Sequence, residues 1–264
     1  MLKCFSTLGC ADLNLDAVLA LARTHGLSSV ELRALGGTVD LPAWFANHYR
    51  TPEALATYLA AAGVKVVALD TSLKLNGSTE AEWRETAEMF LPWAEALGEV
   101  NLRVFDGGKS NDEAAIAVMA ERIAWWRALR QLNGWRSDIM IETHDSLFTA
   151  EANMALQAAA PGARILWDSH HTWKRGGEDP LVTWRALAPH IVHVHVKDSV
   201  SVPSARHPFT YVLPGEGEFP AAALMDELRR DFAGPVSLEW EKLWHPYLPP
   251  LADALAHATA GRWW

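Results

Sequence analysis

The chain has 264 residues, of which 50% are hydrophobic and 21% charged, and its formal net charge is −9. This composition suits a globular protein with a sizeable core and excludes a disordered chain. The acidic balance argues against non-specific nucleic-acid binding, which needs a basic surface.

Strand and helix patterns alternate along the chain. CFSTLG (4–9) reads as a first strand, LDAVLALARTHG (15–26) as a helix that stops at Gly26, and SSVELRA (28–34) as a second strand. Gly36, Gly37 and Pro42 mark the next stretch as a loop. TPEALATYLAAAG (51–63) opens on a Thr cap with Pro in the first turn and closes on Gly63, which predicts a helix. VKVVALDTS (64–72) is the third strand. STEAEWRETAEMFLPWAEALG (78–98) is helical despite Pro92, with an imperfect capping box counted from Ser78. VNLRVFDGG (100–108) is the fourth strand, and a long helix runs from Asn111 to about Leu132. Strands at 139–144, 164–168, 191–197 and 235–240 then alternate with helices at 149–159 and near 180–188, 219–231 and 250–260. GEGEF (215–219) lacks the G-x-G-x-x-G spacing of a phosphate loop and reads as a turn.

Eight strands alternating with eight helices imply parallel strands joined by right-handed crossovers. With no linker and no dinucleotide fingerprint, the expectation is α/β architecture, a single (β/α)₈ TIM barrel over residues 1–264. No apolar run is long enough to span a membrane, and MLKCFSTLGC lacks the apolar segment of a signal peptide. Two cysteines, Cys4 and Cys10, make no disulfide framework, so a reducing, cytoplasmic setting is expected. Thirteen tryptophans are expected mainly in core and interface packing; one or two near candidate loops, such as Trp173 or Trp244, would stack on a sugar ring, and the sequence does not pick out which.

The chemistry concentrates in the last four strands. Side chains alternate between the faces of a strand. In IVHVHVKD (191–198) Val192, Val194 and Val196 share one face, while His193, His195 and Lys197 share the other. By the same parity Met140, Glu142 and His144 point inward from the fifth strand, Asp168 from the sixth, and Ser237, Glu239 and Glu241 from the eighth. Active sites of such barrels lie at the C-terminal ends of the strands. Glu142, Asp168, His195 and Glu239 are therefore expected to face one volume. Three carboxylates and an imidazole placed together need a cation, and oxygen-rich ligation suits Mn²⁺, Mg²⁺, Co²⁺ or Fe²⁺. Lys197 either meets substrate or pairs with a neighbouring carboxylate. His144 either meets substrate or orients Glu142. Arg33, inward on the second strand with Glu31, is a substrate-binding candidate at the mouth, and Arg103 is expected to pair with Glu31.

These motifs resemble the xylose isomerase-like barrels, a superfamily of sugar isomerases, keto-sugar 3-epimerases, inosose dehydratases and endonuclease IV. The resemblance spans essentially the whole chain and is carried by VELRA, ETH, DSHH, HVKD, GEGE and SLEWE. It implies that Glu142, Asp168, His195 and Glu239 bind one divalent metal, often Mn²⁺, and that His171 contacts a substrate oxygen. It also assigns proton removal and return to Glu142 and Glu239. The implied activity is a divalent-metal-dependent sugar isomerase or epimerase working through a metal-stabilised enediolate. The alternative is a lyase of the inosose-dehydratase or keto-glycoside-cleaving type on the same site. A three-metal nuclease is disfavoured, because strands two to four offer Glu31, Asp70 and Asp106 but no His. The expected partner is a small-molecule sugar or cyclitol, with neither nucleic acid nor membrane, and a homo-oligomer is compatible with the relatives.

Overall fold

A computed structural model describes all 264 residues. It contains ten strands: β1 (Leu2–Phe5), β2 (Ser29–Leu32), β3 (Lys65–Asn76), β4 (Asn101–Gly107), β5 (Ile139–Glu142), β6 (Ile165–Asp168), β7 (Ile191–Val196), β8 (Asp198–Val200), β9 (Thr210–Val212) and β10 (Pro235–Leu238). Eight of them form one parallel sheet in the order β1-β10-β7-β6-β5-β4-β3-β2. A parallel bridge between Ser6 and Glu31 brings the two ends together, so the sheet is an α/β TIM barrel. β8 and β9 form a separate antiparallel hairpin above β7.

Strand parity sorts the core into two zones. Ile139, Ile141, Ile165, Trp167, Val194, Val196, Val236 and Leu238 join the large apolar layer between barrel and helices. Ala68, Met140 and Leu166 form a small separate cluster inside the barrel. Tryptophan supplies much of the packing, and Trp83, Trp126, Trp167 and Trp240 are completely buried. All four of their indole N–H groups find acceptors: the Lys74 carbonyl at 3.3 Å, Asp138 at 3.0 Å, Thr172 at 2.9 Å and the Pro249 carbonyl at 2.9 Å. Burial without such partners would be costly.

The helices are α1 (Leu15–Thr24), α2 (Leu41–Tyr49), α3 (Pro52–Ala62), α4 (Glu80–Ala96), α5 (Glu113–Asn133), α6 (Ala150–Ala159), α7 (Ser169–Lys174), α8 (Pro180–Leu187), α9 (Ala221–Asp231) and α10 (Leu251–Ala260). Two of these were not expected. α2 occupies the stretch read as a loop. Asp40 caps it through the Ala43 N–H, and Pro42 sits in the first turn, where its missing N–H costs nothing. α7 is a short helix capped by Asp168 directly at the end of β6.

Other local expectations shift. The first strand ends at Phe5, and Thr7–Cys10 is a 3₁₀ turn capped by Ser6. Gly9 of that turn lies against Trp240, where an added Cβ would sit 2.9 Å from the indole's own Cβ. The capping box of α4 is complete, but it uses Thr79 and Glu82 rather than Ser78. The GEGEF turn folds around a carboxylate of the protein itself: Asp198 accepts N–H bonds from Ser199, Gly215, Gly217 and Phe219 at 2.9–3.1 Å. A Cβ at Gly217 would lie 2.0 Å from that carboxylate, which accounts for the glycine. Cys4 and Cys10 are buried and unpaired. No helix is long and apolar enough to cross a membrane.

Candidate metal centre and active site

β5, β6, β7 and the end of β10 deliver Glu142, Asp168, His195 and Glu239 to one volume, as their parity predicts. All four are buried, and one donor atom from each lies within 4.8 Å of the others. His195 Nδ1 is 3.4 Å from Glu239 and 3.7 Å from Glu142. Glu142 Oε2 and Asp168 Oδ2 meet the cations Arg103, at 3.3 Å, and Lys197, at 2.7 Å, while His195 Nδ1 has no hydrogen-bond partner. Buried polar atoms left in that condition are expensive. Converging carboxylate and imidazole lone pairs fit a cation, so these residues suit a divalent metal on their donor chemistry alone.

Electrostatics point the same way. Burial opposes ionisation of Glu239, but Lys197 and His195 outweigh it and hold its carboxyl well below the usual range. Burial also opposes ionisation of Glu142, and Arg103 outweighs it. Asp168 goes the other way, because burial raises it further than Lys197 can lower it. Asp168 divides its oxygens. Oδ1 accepts the His171 N–H at 2.9 Å and caps α7, while Oδ2 faces the cluster 2.7 Å from Lys197 Nζ.

His195 is oriented from behind. Its Nε2 lies 3.0 Å from both oxygens of Glu31 on β2, which directs Nδ1 to the cluster. The Glu31 carboxylate also meets His193 Nε2 at 2.8 Å and the Ser237 hydroxyl at 2.7 Å. Glu31, His193 and His195 are close enough to hold an ion themselves. The atoms that face one another here, the Glu31 oxygens and Nε2 of both histidines, are already consumed by hydrogen bonds to one another and to Ser237, so the upper cluster is the metal candidate. His193, two residues earlier on β7, spends its Nε2 on Glu31 and Ser237 and does not face the upper cluster. The expected pairing of Arg103 with Glu31 is corrected here. Arg103 contacts Glu142 at 3.3 Å and Asp70 at 3.6 Å, because β4 lies beside β3 and β5 in the sheet, away from β2.

Above the cluster lies a cavity of about 380 Å³. Of the residues expected at the mouth, Arg33, His144 and His171 line it, together with Glu142 and Glu239. His171 Nδ1 lies 3.1 Å from the Thr143 carbonyl. Burial and Lys197 hold His171 well below the usual imidazole range, which leaves Nε2 unprotonated. His144 pairs with Asp145 at 2.9 Å rather than orienting Glu142. Lys197 is 1% exposed and does not line the cavity. It contacts Asp168, Glu239 and Glu241, which is the ion-pair reading of its position. Of the two tryptophans singled out, Trp244 lines the cavity and Trp173 packs against His170 and Phe219 instead.

A family model described as xylose isomerase-like TIM barrel matches residues 19–260. The chain belongs to this family. No curated protein matches it. Among solved structures, the probable 3-DHS dehydratase AsbF of Bacillus anthracis is 21% identical, with a TM-score of 0.79 over 98% of this chain and 99% of that one. The IOLI protein, solved with a bound zinc atom, is 20% identical, with a TM-score of 0.72 over 99% and 96%. A xylose isomerase domain protein of Planctomyces limnophilus is 15% identical, with a TM-score of 0.70 over 99% and 95%. At these identities the likeness is one of fold.

Sequence reasoning missed three residues of this xylose isomerase-like site. Glu31 was visible as an inward carboxylate, but not as the partner of His195. Arg206, from the segment between β8 and β9, lines the cavity through a loop that strand parity does not reach. Asp106, at the end of β4, accepts N–H bonds from Asp145, Ser146 and Leu147 at 2.6–2.9 Å and so anchors the loop that carries His144. Replacing Glu31 with Gln is expected to weaken divalent-metal affinity about 10–100-fold, because carboxylates behind a ligating histidine fix its tautomer and raise its basicity. Titration with Mn²⁺ at constant pH checks this, and unchanged affinity would refute the orienting role.

Proposed function

We propose that the protein is a divalent-metal-dependent enzyme that removes a proton next to a carbonyl, and that its overall reaction is sugar isomerisation or epimerisation. One observation carries this reading: two buried glutamates, both held below the usual carboxyl range by neighbouring cations, flank a shared imidazole at the floor of a cavity of about 380 Å³. Mn²⁺ is the metal we favour, held by Glu142, Asp168, His195 and Glu239. A divalent ion held there would supply Lewis-acid chemistry, polarising a carbonyl oxygen and offsetting negative charge that develops on it.

The remaining steps belong to the chain. Arg103 keeps Glu142 deprotonated and Lys197 does the same for Glu239, so either carboxylate can accept the C–H proton. For isomerisation, the glutamate that took the proton returns it to the neighbouring carbon while the hydroxyl proton passes to the former carbonyl oxygen. For epimerisation, the other glutamate first takes up a proton from solvent and delivers it to the opposite face of the same carbon. Substrate pose then decides between isomerisation and epimerisation. His171 offers the lone pair of Nε2 to a substrate hydroxyl, and His144 lines the same wall. Leu8, Phe105 and Trp244 give that wall its apolar part and limit water near the reacting carbons.

A second reading, elimination, has support of its own, since AsbF, which shares this fold, is a probable dehydratase. The first proton transfer would be shared, and a leaving group on the next carbon would then depart. Incubation with keto-sugars and cyclitol ketones in deuterated buffer tests both. Isomerisation or epimerisation places deuterium on carbon adjacent to the carbonyl, whereas elimination gives a product with an added double bond. Chelation should abolish either outcome, and Mn²⁺ should restore it. Full activity in metal-free protein would sink the proposal.

A further inference from the structure

Three cationic side chains are buried in this protein: Arg33, Arg103 and Lys197. Two of them are neutralised. Arg103 contacts Asp70 and Glu142, and Lys197 contacts Asp168, Glu239 and Glu241. Arg33 has no carboxylate partner. Its side chain donates to the Asp70 backbone carbonyl at 3.3 Å and to the Ser72 hydroxyl at 3.0 Å, both neutral acceptors. Those bonds use two of the five N–H donors of a guanidinium. Arg33 is 6% exposed, and the surface it retains faces the cavity.

A buried charge without a counter-ion is strongly unfavourable, so a site that keeps one implies that the counter-ion arrives with a ligand. We infer that the substrate carries a carboxylate, and that Arg33 receives it. This rests on the reaction proposed above for the same cavity. Arg206, an exposed guanidinium on the cavity wall whose only hydrogen bond goes to the Trp244 carbonyl, adds a second positive charge facing the ligand. Burial and the proximity of Arg103 push the Arg33 guanidinium down to about 10, although Asp70, Glu142 and Glu239 pull the other way from beyond contact distance, and a bound anion would offset the repulsion from Arg103. The charge pattern orients the ligand, with oxygens toward the carboxylate-rich floor and the anionic end toward Arg33.

A carboxylate fits better than a phosphate. A single guanidinium presents a planar fork that matches a carboxylate. Phosphate recognition usually recruits clustered backbone N–H groups. The two such clusters near this site are already filled, one by Asp106 and one by Asp198.

The test uses the Mn²⁺-loaded protein and a panel of aldonates and cyclitol carboxylates, each paired with its primary amide, plus the corresponding sugar phosphates. Binding is read by calorimetry, without any need for turnover. At least one carboxylate should bind on the order of tenfold to hundredfold more tightly than its amide, the range expected for a charge-assisted pair. Arg33→Gln should abolish that preference, and Arg33→Lys should retain part of it. Circular dichroism and Mn²⁺ affinity check that both variants are folded. The inference is overturned if no carboxylate outbinds its amide, if the preference survives in folded Arg33→Gln, or if phosphates bind more tightly than carboxylates. Deuterium exchange is scored separately. Carboxylate preference without exchange would count against the reaction, and exchange on neutral ligands alone would count against Arg33.

Discussion

Glu142→Gln and Glu239→Gln are each expected to lower turnover by about 10²–10⁴-fold, the contribution typical of a positioned acid or base. The amide keeps the shape of the side chain but cannot take up a proton from carbon. The fold should survive both changes. Arg103 would retain Asp70 in the first variant, and Lys197 would retain Asp168 and Glu241 in the second. Because each glutamate is also a proposed metal ligand, turnover must be measured at saturating Mn²⁺ with the metal content of the protein determined in parallel. A rate that recovers fully with added metal would show a ligand with no proton-transfer role. Undiminished activity in either variant would remove that glutamate from the mechanism. Exchange of substrate deuterium that persists in one variant while net conversion stops would identify which carboxylate acts first.

Asp106→Ala is expected to destabilise the protein by about 3–5 kcal/mol, since one substitution strips acceptors from several backbone N–H groups. The Asp106 carboxylate accepts from Gly107 at 2.7 Å, Asp145 at 2.6 Å, Ser146 at 2.9 Å and Leu147 at 2.7 Å. Burial pushes this carboxyl up, while the N–H groups of Leu147, Ser146 and Asp145 oppose that shift. Asp106→Asn keeps one acceptor oxygen and should recover part of the loss. Urea denaturation at pH 7 gives the comparison, and a loss below about 1 kcal/mol for the alanine variant would contradict the anchoring role. The loop it holds carries His144, so Asp106→Asn should raise KM more than it lowers kcat if His144 meets substrate.

Several elements were legible because a local rule decided them. The apolar and polar faces of IVHVHVKD announced a strand whose inner face is chemical, and the same parity held for IMIE, ILWD and PVSL. The Thr and Pro start of α3 and its Gly63 stop likewise appear where their capping chemistry places them. Misreadings came where one residue type serves two purposes. Pro42 marks a loop or opens a helix, and Asp40 three residues before Ala43 was the signal for the helix. Ser78 and Thr79 both offer a cap, and only the spacing from Thr79 to Glu82 closes the box.

Alternation along single strands was enough to turn Glu142, Asp168, His195 and Glu239 inward, since a period of two needs no knowledge of neighbours. Pairing across the barrel was another matter. The bridge from Ser6 to Glu31 closes the sheet and sets Glu31 behind His195, 164 positions away in the chain. Only that closure decides that Nε2 is occupied and Nδ1 is free. Sheet order likewise gives Arg103 to Glu142 and Asp70, and leaves Arg33 without a carboxylate. Residue types and their faces follow from local sterics. Which charges neutralise one another depends on distances set by strand order and register, and those exist only once the barrel has closed.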